Sequence, residues 1–428
     1  VTVLIKNGHV LDPSTGIDGI REIYIKDGII ITVGSELNVT ADKVIDASGL
    51  YVMPGFIDLH VHLREPGFEY KETIKSGCAA AARGGFTTIC PMPNTKPAID
   101  SKEMIEWLKK KEREEALVNI LPIGAVTKGQ MGEELSEIAE MAMAGAAAIS
   151  EDGKSVMSTS LYREGMIKAK EAGIPVFAHC EDKNLVGNGV INESSKAREL
   201  NLPGISNAVE DIIAIRDILL AKETGVRLHL CHCSTKDSVA FLKWAKEEGL
   251  PVTGEVCPHH FTLTDEDIPC DDSNYKMNPP LRSKADVEAL KEGLKNGILD
   301  VIATDHAPHS KEEKDKSFLQ APFGIVGLET AFALSYTELV ETGVLSFSEL
   351  VGKLSTNPAD VLGLNRGSLK EGWTADIVIA DTSEWYRIDK EKFVSFGKNT
   401  PFHDRRVKGR IMYTLVDGQI VYKAEEQQ

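Results

Sequence analysis

Gly55-Phe56-Ile57-Asp58-Leu59-His60-Val61-His62 is an apolar run that ends in two histidines two residues apart. It reads as a buried strand. Successive strand side chains alternate between faces, so His60 and His62 point the same way and can grip one metal ion. Imidazoles suit zinc and similar borderline metals. The competing reading is two unrelated histidines in a core strand. A buried imidazole needs a polar partner, and two on one face favour a metal over plain core.

Working outward, similar runs recur at Thr87 to Cys90, Asn119 to Pro122, Ala146 to Ile149, Pro175 to His179, Arg227 to His232, Val252 to Val256 and Val301 to Asp305. Helix-sized amphipathic stretches such as Ser101 to Glu114 and Asn207 to Thr224 separate them, and the Ala-rich Cys78 to Ala82 reads as a closely packed helix. Eight strands alternating with helices predict an α/β protein built on a parallel (β/α)8 barrel of the TIM type. Both chain ends have a different texture. Val3 to Lys6, Ile23 to Lys26 and Ile29 to Val33 at one end, and Ala375 to Ala380, Ile411 to Val416 and Ile420 to Tyr422 at the other, are short strands beside Asn-Gly or Asp-Gly turns. Neither set makes a stable sheet alone. The expected organisation is therefore a small composite β domain made by residues 1–50 and 366–428, bracketing a catalytic barrel over 51–365.

At 428 residues the chain can bury a large core, and its 42% hydrophobic and 26% charged residues are ordinary for a globular protein. A formal charge of −17 argues against a nucleic-acid surface while allowing a local basic pocket. No apolar stretch is long enough to span a bilayer. Val1 to Val10 lacks the pattern of a signal peptide. Seven scattered cysteines, several inside apolar strands, fit a reducing cytoplasm rather than a disulfide framework.

In such barrels the chemistry sits at the C-terminal ends of the strands. His60 and His62 end the first predicted strand, Asp152 follows the fourth, His179 ends the fifth, His232 the sixth and Asp305 the eighth. Any one of these is often a cap or core partner. Six at one end can hold two divalent ions, with Asp152 as the bridge. Alternation turns His229 to the face opposite His232, and Cys231 and Cys233 away from His232 to pack as small hydrophobes. His259 and His260 read as a mainly structural pair. Cys180 has two readings: a thiolate that approaches the metal from beside His179, or a buried thiol behind the barrel.

The opening run resembles the first motif of the cyclic amidohydrolases. Leu63-Arg64-Glu65-Pro66-Gly67 and Pro91-Met92-Pro93-Asn94-Thr95 resemble dihydroorotases, allantoinases and hydantoinases. Met277-Asn278-Pro279-Pro280-Leu281-Arg282 and Ala303-Thr304-Asp305-His306-Ala307-Pro308-His309 are similar to the long, type I dihydroorotases, over essentially the whole chain. Hydantoinases, dihydropyrimidinases and allantoinases carry a carboxylated lysine after the fourth strand. Here Ile149-Ser150-Glu151-Asp152-Gly153 places an aspartate there, as in the type I enzymes, and Lys154 reads as exposed.

The resemblance implies reversible, zinc-dependent closure of N-carbamoyl-L-aspartate to L-dihydroorotate in pyrimidine synthesis, with one or two Zn2+ on the six residues above. It implies that Asp305 moves the proton, and that His62, Arg64, Asn94 and His309 meet the substrate, whose pyrimidine edge lies on Asn278, Phe323 and Gly324. Arg64 also offers a bidentate fork beside the histidine pair, its alternative being a surface salt bridge with Glu65 or Glu69. Ser310 to Gln320, polar and rich in Lys and Glu, reads as a mobile loop over the site. The expected state is a homo-oligomer, and resemblance adds a complex with aspartate transcarbamoylase. The alternatives are another cyclic amidohydrolase and a non-catalytic scaffold relative.

Overall fold

The computed structural model describes residues 1–425. Its centre is a closed barrel of parallel strands. Phe56–Val61 pairs with Phe86–Pro91, which pairs with Asn119–Ile120. The sixfold run Ile123–Ala125, Ala148–Ser150, Val176–Ala178, Leu228–Leu230, Val252–Val256 and Val301–Ile302 continues it, each strand parallel to the next. A parallel bridge from Val61 to His306, with the His62 N–H donating to the His306 carbonyl at 2.8 Å, closes the ring. Asn119–Ile120 and Ile123–Ala125 form the third barrel strand, broken at Leu121-Pro122, where proline has no N–H to give the ladder. This gives the eight barrel strands expected from the alternation.

Several strands are shorter than their apolar runs. The sixth stops at Leu230 and the eighth at Ile302, before His232 and Asp305. The reason is local: His232 (φ 31°) and Asp305 (φ 50°) have left-handed backbones that a strand does not accommodate. The side chains expected at strand ends therefore stand on the turns just beyond. The helix expected at Ser101 to Glu114 spans Lys102–Glu115, with the Ser101 hydroxyl accepting from the Met104 N–H as its cap.

Both chain ends join one eight-stranded sheet. Its order is Gln419–Lys423, Arg410–Val416, Ile377–Asp381, Tyr51–Pro54, Thr2–Asp12, Ile17–Lys26 and Ile29–Gly34, with Lys43–Asp46 beside Thr2–Asp12. The two ends meet where Ile377–Asp381 pairs antiparallel with Tyr51–Pro54, a strand on the barrel side of the expected boundary. Val3, Ile5, Ile23, Ile25, Ile377 and Leu415 pack into a core of this sheet's own. The Thr414 hydroxyl donates to the Ala82 carbonyl at 2.7 Å, fastening the sheet to the first barrel helix, Ile74–Arg83. No helix among the described residues is long and apolar enough to cross a membrane.

Candidate active site

Strand one carries its chemistry on alternate residues. Asp58 Oδ1 accepts from the His60 and Thr304 backbone N–H groups, both at 3.1 Å, and Oδ2 from the Thr304 hydroxyl at 2.5 Å. This locks strands one and eight together beneath the site. Complete burial pushes the Asp58 carboxyl up to about 7. Above it, His60 and His62 face one space, as alternation requires.

The structure brings all six residues expected as ligands to that space. Asp152 Oδ1 lies 3.2 Å from His60 Nε2, 3.4 Å from His179 Nδ1 and 3.7 Å from His232 Nε2, and its Oδ2 lies 3.4 Å from His62 Nε2. Asp305 Oδ1 is 3.0 Å from His62 Nε2 and 3.3 Å from His60 Nε2. His179 and His232 approach each other at 2.9 Å between nitrogens. Two metal-competent triplets result, His60–His62–Asp152 and Asp152–His179–His232, and they share Asp152; a third joins His60, His232 and Asp305.

These side chains suit a metal on their own chemistry. At the centre of the cluster His60 Nε2 and Asp152 Oδ1 are buried polar atoms without a hydrogen-bond partner, a costly state that a cation would relieve. The charge balance points the same way. Burial favours the neutral forms, but the Asp152 and Asp305 carboxylates outweigh it at His60 and hold that imidazole above its ordinary range. Conversely, His60, His179 and His232 hold buried Asp152 well below the usual carboxylate range. Such a cluster draws positive charge, and a divalent cation competes with protons for it.

The supporting groups were hidden in the sequence. Glu255, inside strand seven, sits 3.0 Å from His60 Nδ1 and 2.9 Å from His229 Nε2, and its Oε1 accepts from the His232 N–H at 3.1 Å. Although burial opposes ionisation, these imidazole partners hold Glu255 down at about 2. It therefore fixes His60 with Nδ1–H donating and Nε2 free to coordinate. Asn94 does the same for His62, its Oδ1 lying 2.9 Å from Nδ1. An acidic residue in an apolar strand was the available signal for Glu255, but which imidazole it would meet depends on barrel closure.

Around this centre, Arg64 (φ 64°) sends Nε to the Pro308 carbonyl at 3.1 Å and Nη2 to within 3.3 Å of His309 Nε2, and makes no ion pair with Glu65 or Glu69. Those two carboxylates cap backbone N–H groups of Ile74 and Gly67 instead. His309 Nε2 lies 2.7 Å from the Phe323 carbonyl. Gly324 (φ 132°) comes so close that a Cβ would stand 2.7 Å from Ala307 Cβ and 3.0 Å from His309 Nε2. Asn278 donates to Glu181 Oε2, whose carboxylate is 3.6 Å from His179 Nε2. A cavity of about 350 Å3 lined by Phe68, Asn94, Lys96, Gln130, Asp152 and Lys154 opens here.

Of the two readings of Cys180, the buried thiol fits and the approaching thiolate does not: its sulfur faces the Ala178 carbonyl at 3.7 Å and Asp217 at 4.0 Å, and burial pushes the thiol well up, so it stays protonated. Three further readings need correction. Cys231 is not merely turned away; it lies under the site, its sulfur within 4.8 Å of ligand-type atoms of His60 and Glu255. Lys154 is half-buried, donating to the Gln130 carbonyl at 3.1 Å on the cavity wall. The segment after His309 is not a loose polar loop, for Lys314 and Phe318 are buried and its first turn is the capped helix Lys311–Lys314. His259 and His260 are buried beside Cys257, His260 donating to the Pro279 carbonyl at 2.9 Å.

Comparison with known proteins places this geometry. Residues 49–238 match the family described as "Dihydro-orotase-like". The chain is 49% identical to a dihydroorotase of Caldanaerobacter subterraneus subsp. tengcongensis over 98% of this chain and 97% of that protein. It is also 49% identical to one of Thermoanaerobacter sp. (strain X514), over 99% and 98%. Among solved structures, L-hydantoinase (dihydropyrimidinase) from Arthrobacter aurescens superposes with a TM-score of 0.88 at 28% identity, covering 99% of this chain and 96% of that one.

Proposed function

The chain belongs to the dihydroorotase family, and from that premise we propose that it interconverts N-carbamoyl-L-aspartate and L-dihydroorotate on a zinc centre held by His60, His62, Asp152, His179, His232 and Asp305. The observation that carries this reading is the convergence of four imidazoles on the Asp152 carboxylate, where His60 Nε2 and Asp152 Oδ1 face each other without a hydrogen-bond partner. Two ligand triplets meeting at Asp152 favour two ions over one. When bound, zinc lowers the pKa of water to ~7 and polarises the ring carbonyl.

The chain's own groups do the rest. His60, His62 and His232 outweigh burial and hold Asp305 below the usual carboxylate range, so it is ionised at neutral pH and able to accept a proton. In hydrolysis Asp305 takes the proton of the attacking water and passes it to the leaving ring nitrogen; in cyclisation it removes the carbamoyl nitrogen's proton and returns it to the hydroxyl that departs as water. Arg64, Asn94 and His309 bind the substrate carboxylate, with the Arg64 guanidinium and His309 already 3.3 Å apart. Asn278, Phe323 and Gly324 receive the pyrimidine edge, and His62 borders both metal and substrate. A homo-oligomer and a complex with aspartate transcarbamoylase in the cytoplasm are the corresponding assembly and location.

Turnover of dihydroorotate, dihydrouracil and allantoin, measured on protein of known metal content, tests the proposal. Dihydroorotate alone should react. Preference for either of the others would overturn it in favour of another cyclic amidohydrolase. Inactivity toward all three after zinc loading would point to a scaffold relative.

A further inference from the structure

Lys71 belongs to none of the roles assigned above, yet its ammonium lies 3.1 Å from His309 Nδ1. It stands equally close to Glu313 Oε1, at 3.1 Å, and Glu313 accepts from the Tyr70 hydroxyl at 3.1 Å as well. The Lys71 side chain is only 13% exposed, so these contacts are not a surface accident. We propose that Lys71 is a positioning residue of the carboxylate site, holding His309 in the tautomer that presents Nε2–H to the substrate. The proposal rests on the dihydroorotase reading, in which His309 meets the substrate carboxylate.

The tautomer follows from the partners. A neutral imidazole carries one N–H and one acceptor nitrogen. The Phe323 carbonyl, 2.7 Å from Nε2, can only accept, so Nε2 must carry the proton. Lys71, at Nδ1, can only donate, so Nδ1 must be the acceptor. The two requirements agree. The competing arrangement would put a proton on Nδ1 for Glu313 Oε2, but that oxygen is 3.8 Å away, beyond hydrogen-bond reach. The ring also stays neutral, because burial, Arg64 and Lys71 hold His309 well below its ordinary range.

The consequence lies on the other side of the ring. Arg64 Nη2, a pure donor, is 3.3 Å from the protonated Nε2. Two donors side by side share no proton between them, and an incoming carboxylate oxygen accepts from Arg64 and competes with the Phe323 carbonyl for the Nε2–H. Without Lys71 only the Phe323 carbonyl holds the proton on Nε2, against the Arg64 donor at the same nitrogen. In the fraction of molecules whose proton moves to Nδ1, the lone pair of Nε2 faces the guanidinium, and Arg64 turns its donors to His309 instead of to substrate. Glu313 neutralises the Lys71 charge while anchoring the helix Lys311–Lys314, its Oε2 accepting from the Ser310 N–H at 3.0 Å and the Ser310 hydroxyl at 3.1 Å. Lys71 is thus the link between that helix and the anion pocket.

The test uses the zinc-loaded full chain and two readouts. In Lys71→Met the KM for dihydroorotate should rise at least about tenfold while kcat stays within about threefold, and Lys71→Arg, which still donates, should recover most of the loss. Ring 15N shifts of His309, assigned with His309→Gln and recorded without substrate, should show the Nε2–H tautomer in the wild type and a mixture in Lys71→Met. Glu313→Gln, which leaves the Lys71 donor in place, should keep the wild-type tautomer. If Lys71→Met is too unstable to purify, Lys71→Leu, which also lacks a donor, supplies the same readouts. An unchanged KM or an unchanged tautomer, in a wild type that does turn over dihydroorotate, sinks the role of Lys71 and spares the functional reading. A wild type inert toward dihydroorotate sinks the functional reading, and the carboxylate role with it, whatever the tautomer.

Discussion

Asp305 and Arg64 both sit on left-handed backbone, a conformation that costs non-glycine residues energy and is held here by the surrounding contacts. Asp305→Asn should abolish turnover, by at least about a hundredfold, while metal content is largely kept: the amide oxygen can still coordinate but cannot take a proton. Metal analysis and rate on one sample decide this, and near-normal turnover with full metal would remove Asp305 as the base. Arg64→Lys keeps the charge and loses the fork. The lost charged hydrogen bond is worth about 1.5–3 kcal/mol, so affinity for dihydroorotate and carbamoyl aspartate should fall by an order of magnitude or two with little change in melting temperature. At this scale the histidines and aspartates were legible because each occurs beside an apolar run. Glu255 and Lys71 were not, since their partners are distant in sequence: His60 for one, His309 for the other.

Ser310 to Gln320 shows why an element's polarity does not report its placement. The Lys314 ammonium donates to the carbonyls of Pro322 at 3.0 Å and Gly324 at 2.9 Å, and Lys276 donates to those of Leu319 at 3.3 Å and Ala321 at 2.6 Å. Two lysines thereby pin the segment that carries Phe323 and Gly324. Burial, aided by neighbouring Lys276, pushes Lys314 down to about 7. An unfolded lysine titrates near ~10.4, so between about pH 7 and 10 the unfolded chain binds a proton that the folded chain does not. Stability should therefore gain as pH rises through that window and lose as it falls, by up to about 1.4 kcal/mol per pH unit for this one group. Comparing denaturation of wild type and Lys314→Met from pH 7 to 9.5 checks it; parallel pH slopes would show that Lys314 titrates normally. Gly324→Ala tests the same segment sterically. Its Cβ has no room at 2.7 Å from Ala307 Cβ, and a raised KM for dihydroorotate is the expected result.

For the molecule as a whole, a metal held by the clustered histidines and aspartates would link its binding to folding. A site that exists only in the folded chain stabilises it by about 2.7 kcal/mol when free metal is at a hundred times its dissociation constant. Chelation should lower the melting temperature, and zinc should restore it; a melting curve indifferent to metal would argue against the cluster as a metal centre. The composite sheet makes a second prediction. Ile377–Asp381 lies between Tyr51–Pro54 and Arg410–Val416, so a chain ending at residue 365 leaves Tyr51–Pro54 without that neighbour and uncovers the apolar side chains of the sheet core. Such a chain should be found aggregated, as judged by sedimentation of the expressed protein.

By itself the sequence determined the barrel, its strand count, the pairing of the two chain ends and which six histidines and aspartates gather at one end of it. Those follow from local rules: alternation of side chains, the period of apolar runs and the turn residues between them. Tertiary structure alone decided which nitrogen of each histidine is free, where Cys180 points and what Lys71 and Glu255 touch. Cys180 adjoins His179 in the chain, yet its sulfur faces Asp217 on a helix behind the barrel, while Glu255, far from His60 in sequence, meets it across the barrel interior. Short-range pattern says which face a strand residue takes. It cannot say how a turn with left-handed backbone redirects the next side chain, nor which distant strand closure brings opposite it.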